Sequence, residues 1–355
     1  MSALDSLGWS SSFAEAFAPF APDGLVPARI VREHRGLFRA QAEDGEHVAE
    51  VAGRLRHEAR SRADLPAVGD WVALRLAPHG PRAIVHAVLP RRSRFVRKLA
   101  GEEHGEQVVA ANVDTVFLVS GLDHDFNPRR IERYLVMARE SGAWPVVVLN
   151  KADLVPDASA AQAEVQAIAA GAPVHAISSR AGSGLEQLDP FLRPRETVAL
   201  LGSSGVGKST LLNRLSGREQ QATLEVRAHD SRGRHATTHR QLFVLPSGAL
   251  MVDTPGMREL QLWDPGGALD AAFADVAALA AQCRFADCAH ETEPGCAVCA
   301  AVDAGRLDPG RLASFRKLRS EAARLEREQD KRAWSEANRK VRALHRSARR
   351  HHPRG

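Results

Sequence analysis

Gly202, Gly207, Lys208 and Ser209 stand in the run "LLGSSGVGKSTLLNRL", a Gly-x4-Gly-Lys-Ser spacing between a strand-like and a helix-like segment. Glycines at both ends let the intervening N–H groups turn inward and cradle phosphate oxygens. In such a loop Lys208 neutralises β/γ-phosphate charge and the Ser209 hydroxyl ligates magnesium, while the helix N-terminus adds its own attraction for anions. Ser203, Ser204, Gly205, Val206 and Thr210 complete the expected cradle. Asp253-Thr254-Pro255-Gly256 follows 45 residues after Lys208, at the end of the apolar run "LMV". There Asp253 can reach magnesium through water and the Gly256 amide can sense a γ-phosphate. The polar loop "SRGRHATTHRQL" lies between, with Thr237 and Thr238 placed to close on the same ion.

A base-reading element occurs earlier in the chain. "VVVLNKADL" is an apolar strand ending in Asn150, Lys151, Ala152 and Asp153. A carboxylate at 153 accepts from both guanine N1–H and the exocyclic amine, an amide at 150 can donate near O6, and Lys151 can cover the base face. Adenine presents the opposite donor and acceptor pattern, so a site built this way discriminates by about 10⁴ or more. Ser178 and Ser179, after the next strand, stand where a backbone donor to O6 is expected. Guanine-nucleotide domains usually begin at the phosphate loop, whereas here the base-reading pieces come first. That order is a circular permutation, tolerated when the new ends fall in exposed loops and the packed sheet is kept.

A third cluster is metal-like. Cys283-x4-Cys288-x-His290-x5-Cys296-x2-Cys299 holds all four cysteines of the chain and offers five ligands for four tetrahedral positions. Thiolate with imidazole favours a structural zinc. Spacing alone leaves an all-cysteine set and a set of three cysteines with His290 equally open.

Alternating β-like and α-like segments from about 108, with apolar strands, require a parallel sheet covered by helices to hold these loops. Before it, residues 25–95 read as short alternating strands with an Asp44-Gly45 hairpin turn, which fits a small β-barrel of the five-stranded oligonucleotide-binding size. "LPRRSRFVRK" reads as a basic linker, and residues beyond Trp263 as helical around the cysteines. The expected organisation is therefore an N-terminal extension (1–24), a barrel (25–98), a permuted α/β nucleotide domain (105–265) and a helical zinc domain with a basic tail (266–355).

From Arg306 to Gly355 sixteen Lys/Arg face six Asp/Glu, which leaves the rest of the chain mildly acidic against an overall charge of +5. A basic tail on such a body points to a polyanion, nucleic acid first. The N-terminus lacks the basic, apolar pattern of a signal peptide, and no apolar run reaches the roughly 20 residues of a membrane span. Clustered cysteines suit a metal site in a reducing compartment, so a cytoplasmic monomer with no membrane partner is expected.

Together "NKADL", "GSSGVGKSTLLN", "GRHATTHRQL", "DTPGMRELQLW" and "CRFADCAHETEPGCAV", with the barrel before them, resemble the small ribosomal subunit biogenesis GTPases of the RsgA type, over about 25–320. The resemblance implies a GTPase that hydrolyses GTP to GDP and phosphate late in small-subunit maturation, bound to and stimulated by the subunit and its 16S rRNA. It also implies Cys283, Cys288, His290 and Cys296 as zinc ligands, with Cys299 spare. Met257 stands where many GTPases carry a water-orienting Gln, and both the loop and the resemblance direct attention to His235 instead. The alternative is a non-catalytic RNA-binding chaperone that holds GTP as a structural ligand.

Overall fold

In the computed structural model, which describes residues 2–34, 36–98, 106–217, 240–253 and 266–327, short helices α1 (Ala3–Ser6) and α2 (Ser11–Phe17) lead into a barrel. Its strands are β1 (Val26–His34), β2 (Leu37–Ala42), β3 (Gly45–Val51), β4 (Trp71–Leu76) and β5 (Arg82–Val88), with helix α3 (Gly53–Glu58) after β3. Their hydrogen-bonded order is β1-β2-β3-β5-β4, and β4 returns to β1, so no edge is left. Every other side chain points inward, and Ala28, Ile30, Phe38, Ala40, Val72, Leu74 and Val85 form the barrel core. The N-terminal helices are held by aromatic packing, with Trp9 edge-on to Trp71 at 4.7 Å.

The segment expected to be a basic linker is not one. Arg94–Lys98 is a strand, β6, paired antiparallel with β7 (Glu106–Ala111). Phe95, Val108 and Ala110 are buried beneath its charges.

The apolar runs that follow become the parallel strands β8 (Thr115–Gly121), β9 (Trp144–Asn150), β10 (Val174–Ala176), β11 (Thr197–Leu201) and β13 (Leu250–Asp253), with β12 (Arg240–Val244) antiparallel. Their order is β10-β9-β8-β11-β13-β12. Helices α4 (Pro128–Ser141), α5 (Ser159–Ile168) and α6 (Lys208–Ser216) supply the crossovers. Asn127 caps α4, Pro128 opens it where no N–H is needed, and Gly142 ends it at φ 86°. Phe117, Val119, Val146, Val148, Val198, Leu211 and Met251 share one buried cluster.

Barrel and nucleotide-type sheet belong to one compact unit, Met1–Gln261. They are continuous, because β12 pairs with β1 through Arg32–Gln241 and Glu33–Arg240, and the Arg240 guanidinium meets Glu33 at 2.7 Å. Arg29 is wholly buried at the junction. It donates to the carbonyls of Leu7, Gly69 and Asn112 and, at 2.8 Å, to Thr197 Oγ1. Burial lowers its pKa to about 10, which leaves it cationic at neutral pH.

The second unit, Leu262–Gly355, contains α7 (Gly266–Ala272), α8 (Ala274–Ala280), α9 (Ala297–Asp303) and a further helix, α10, over 309–327. Phe273 and Phe315 meet at 5.4 Å inside it, and Arg311 caps the packing by stacking on Phe273 and bonding Asp275 at 2.7 Å. None of the described helices is long and apolar enough to cross a membrane.

Candidate functional site

Ligands in open α/β sheets sit beyond the carboxyl ends of the strands, and three sequence motifs converge there. The phosphate loop 202–207 leaves β11, the base-reading tetrad 150–153 ends β9, and Ser178-Ser179 follows β10. β8 separates β9 from β11, and its last residue Gly121 pairs with Asn150. Segments far apart in sequence, and in inverted order, therefore touch.

Asn150 makes the joint. It is 1% exposed; its Nδ2 donates to the Val206 carbonyl at 2.7 Å and its Oδ1 accepts from the Ser179 N–H at 2.9 Å. Its amide thus braces the phosphate loop against the base-side loop, where the sequence reading aimed it at guanine O6. Asp153 is exposed and its Oδ1 accepts from Ser178 Oγ at 2.5 Å, which orients the carboxylate. Lys151 sits at φ 64°, followed by a single 3-10 turn over Ala152–Leu154. Arg214, on α6, donates to the carbonyls of Ser179 (3.1 Å) and Arg180 (2.7 Å) and so fixes the loop that would face O6.

Two glycines of the phosphate loop, Gly202 and Gly207, are demanded by contact. A Cβ on Gly202 would lie 2.2 Å from the Val119 carbonyl oxygen, and one on Gly207, at φ 96°, 2.2 Å from Asn150 Nδ2. Lys208 Nζ spans the loop to the Gly202 and Ser203 carbonyls at 2.7 and 2.5 Å. Ser209 and Thr210 occupy the first turn of α6. Asp253 closes β13, the strand beside β11. His235, Thr237, Thr238, Gly256 and Met257 lie outside the described residues.

Sequence reasoning missed Asp123, Asp125 and Arg130 in the same cleft. Lys151 Nζ meets Asp123 at 2.5 Å, and Arg130 Nη1 bridges Asp125 (2.5 Å) and Ser203 Oγ (2.6 Å). Two acids and an arginine around the cap of α4, in "LDHDFNPRR", were the available signal. Burial alone would raise Asp123, but the Lys151 ammonium holds it below its ordinary value. The Arg130 hydrogen bond does the same for Asp125.

In the second unit Cys283, Cys288, His290 and Cys296 bring their ligand atoms within 4.8 Å of one another. Cys283 and Cys296 sulfurs are 3.9 Å apart, and each lies 3.6 Å from His290 Nδ1. Ligand sulfurs about 2.3 Å from one tetrahedral ion stand roughly 3.8 Å apart, so the set fits zinc. Cys299 lies beside the cluster and outside that group of four, its Sγ on the His290 carbonyl at 3.2 Å, while its N–H donates to Cys296 Sγ at 3.4 Å. Of the two sets that spacing left open, the one with His290 is the one whose ligand atoms lie together. His290 is held at φ 60°, and burial followed by the Arg319 cation lowers its pKa, keeping the ring neutral as a ligand must be. Arg319 also donates to the Cys288 and Ala289 carbonyls.

Residues 88–263 match the family model described as RsgA GTPase. The chain is 55% identical over 336 residues to the small ribosomal subunit biogenesis GTPase RsgA of Opitutus terrae, covering 92% of each, and 47% identical to that of Syntrophotalea carbinolica over 90% of each. Among solved structures it resembles YjeQ from Thermotoga maritima (TM-score 0.63, 27% identity, 84% of this chain and 99% of that one). It also resembles YloQ, described as a circularly permuted GTPase (TM-score 0.59, 25% identity, 84% and 95%). With this identity over most of both chains, and with the phosphate-loop motif following the Asn-Lys-x-Asp motif in the permuted order described, the chain belongs to the RsgA family of circularly permuted GTPases of ribosome biogenesis.

Proposed function

We propose that this GTPase works on the small ribosomal subunit, contacts its 16S rRNA, and hydrolyses GTP faster when bound there. The observation that carries the nucleotide half is the Asn150 brace between Val206 and Ser179, which joins the phosphate loop to the base-side loop although the two come in inverted order along the chain. The ribosomal half rests on relatives named for small-subunit biogenesis and on the basic C-terminal sequence.

In this reading Asp153 and the backbone at Ser178-Ser179 select guanine, Lys151 covers its face, and the 202–207 amides with Lys208 hold the phosphates. Ser209, with Asp253 through water, would hold magnesium, which neutralises developing phosphate charge when bound. His235 is proposed to position the attacking water, and Thr237 or Thr238 with the Gly256 amide to sense the γ-phosphate. Cys283, Cys288, His290 and Cys296 would hold one structural zinc, giving a segment with little core of its own a fixed shape. The protein is proposed to act in the cytoplasm as a monomer.

Both neighbours of the γ-phosphate-sensing loops lead to candidate RNA-binding parts. One loop precedes β12, whose partner is barrel strand β1; the other, after Asp253, runs on into the zinc-binding unit. Ordering of these loops by GTP would therefore change the grip on rRNA, and hydrolysis would release it. Co-sedimentation with purified small subunits should be tighter with a non-hydrolysable GTP analogue than with GDP, and salt-sensitive in both. Identical binding with the two nucleotides would sink the switch.

A further inference from the structure

Residues 122–127, between β8 and α4, belong to none of the motifs above, yet they touch both halves of the cleft. Leu122 N–H donates to the Asn150 carbonyl at 2.8 Å, so the segment starts on the base-reading strand. Asp123 then takes the Lys151 ammonium at 2.5 Å, and its Oδ1 accepts from the Asp125 N–H at 3.2 Å. Asp125 in turn pairs with Arg130, whose Nη1 reaches Ser203 Oγ at 2.6 Å, one residue into the phosphate loop. Asn127, capping the helix that carries Arg130, accepts from its N–H at 3.2 Å and fixes where the guanidinium starts. Gly121 makes the fit possible. A Cβ there would lie 2.9 Å from Asp123 Oδ1 and 3.4 Å from Lys151 Cδ.

These contacts address two problems of a guanine site. A lysine lying over a base face has a flexible stem and loses rotamer entropy on binding, and a carboxylate that already holds its ammonium removes part of that cost. A phosphate loop must present its amides before the anion arrives, since electrostatic stabilisation depends on dipoles that need no rearrangement. Arg130 ties the loop's first limb to a helix outside the loop, and Asp125 balances its charge so that the guanidinium is held in place.

We propose that loop 122–127 with Arg130 is a positioning clamp for the guanine nucleotide: Asp123 presets Lys151 for the base, and the Asp125–Arg130 pair presets the phosphate loop through Ser203. None of the three is a catalytic residue; each acts through a neighbour. The inference rests on the assignment of this cleft as the GTP site.

Titration of the full-length protein with fluorescent GDP and a fluorescent non-hydrolysable GTP analogue tests it, with wild type as the control for that assignment. Asp123→Asn should weaken both nucleotides about tenfold. Arg130→Gln and Ser203→Ala should each weaken them about three- to tenfold, and the loss in the double variant should be much less than the product of the two, because Ser203, Arg130 and Asp125 form one hydrogen-bonded unit. Arg130→Lys should recover part of the loss. Thermal unfolding of the nucleotide-free variants should stay within about 2 °C of wild type, which separates positioning from general destabilisation. If Arg130→Gln fails to fold, Ser203→Ala and Arg130→Lys still read the same contact. The clamp is overturned if wild type binds and either arm fails: Asp123→Asn within about twofold of wild type, or Arg130 and Ser203 effects that multiply independently. Absence of binding by wild type would instead overturn the assignment of the cleft.

Discussion

Replacing Asp153 by Asn tests which residue reads the base. Asp153 is exposed, and its carboxylate is oriented by Ser178 Oγ at 2.5 Å. An Asn in its place can keep that bond through Oδ1 while presenting Nδ2 to the ligand, so the fold is spared. Guanine loses the acceptor for its exocyclic amine and meets a donor instead. Two charge-assisted bonds of about 1.5 kcal/mol each are forfeited, or about a hundredfold in Kd. Xanthine carries a carbonyl where guanine carries the amine, and the Asn amide can donate to it. Competition titrations should therefore show Asp153→Asn losing GDP about a hundredfold while gaining xanthosine diphosphate by a comparable factor. A loss of GDP under about threefold, or equal loss of both nucleotides, would refute the base-reading geometry.

Gly207→Ala should abolish nucleotide binding and lower the melting temperature, since its Cβ would sit 2.2 Å from Asn150 Nδ2 at φ 96°; calorimetry with GDP reads both effects. Arg29→Met keeps bulk but strips donors from three carbonyls and Thr197 Oγ1, and should cost about 3 kcal/mol in denaturant unfolding of the first unit. A strong chelator should remove one zinc per chain and expose the second unit to proteolysis while GDP binding persists in the first; Cys288→Ser should mimic it and Cys299→Ser should not.

The parts that sequence made legible are those whose chemistry is local. Gly202 through Ser209, Asn150 through Asp153 and the cysteine run announce themselves because each needs fixed residue types at fixed spacing. The strands were readable because burial on both faces gives apolar runs such as Val146–Leu149. What stayed hidden depends on partners distant in sequence. Arg29 stands in an alternating strand with no local sign of its burial, since four separate segments supply its acceptors. Arg94–Lys98 reads as a charged linker because its apolar side chains are few and its pairing partner lies past residue 105. Nor does anything along the chain show that the Asn150 amide meets Val206 and Ser179. The β12–β1 pairing, which makes barrel and nucleotide domain one sheet, involves two registers and leaves no mark in composition.

The permuted site is proposed to turn over GTP under the drive of the small subunit. Single-chain GTP hydrolysis measured with and without purified small subunits tests this most directly. A rise of about tenfold or more, a lowering of the barrier by about 1.4 kcal/mol, is predicted, and Lys208→Ala should remove it while the chain still folds. Turnover indifferent to the subunit, or unchanged by Lys208→Ala, would contradict it.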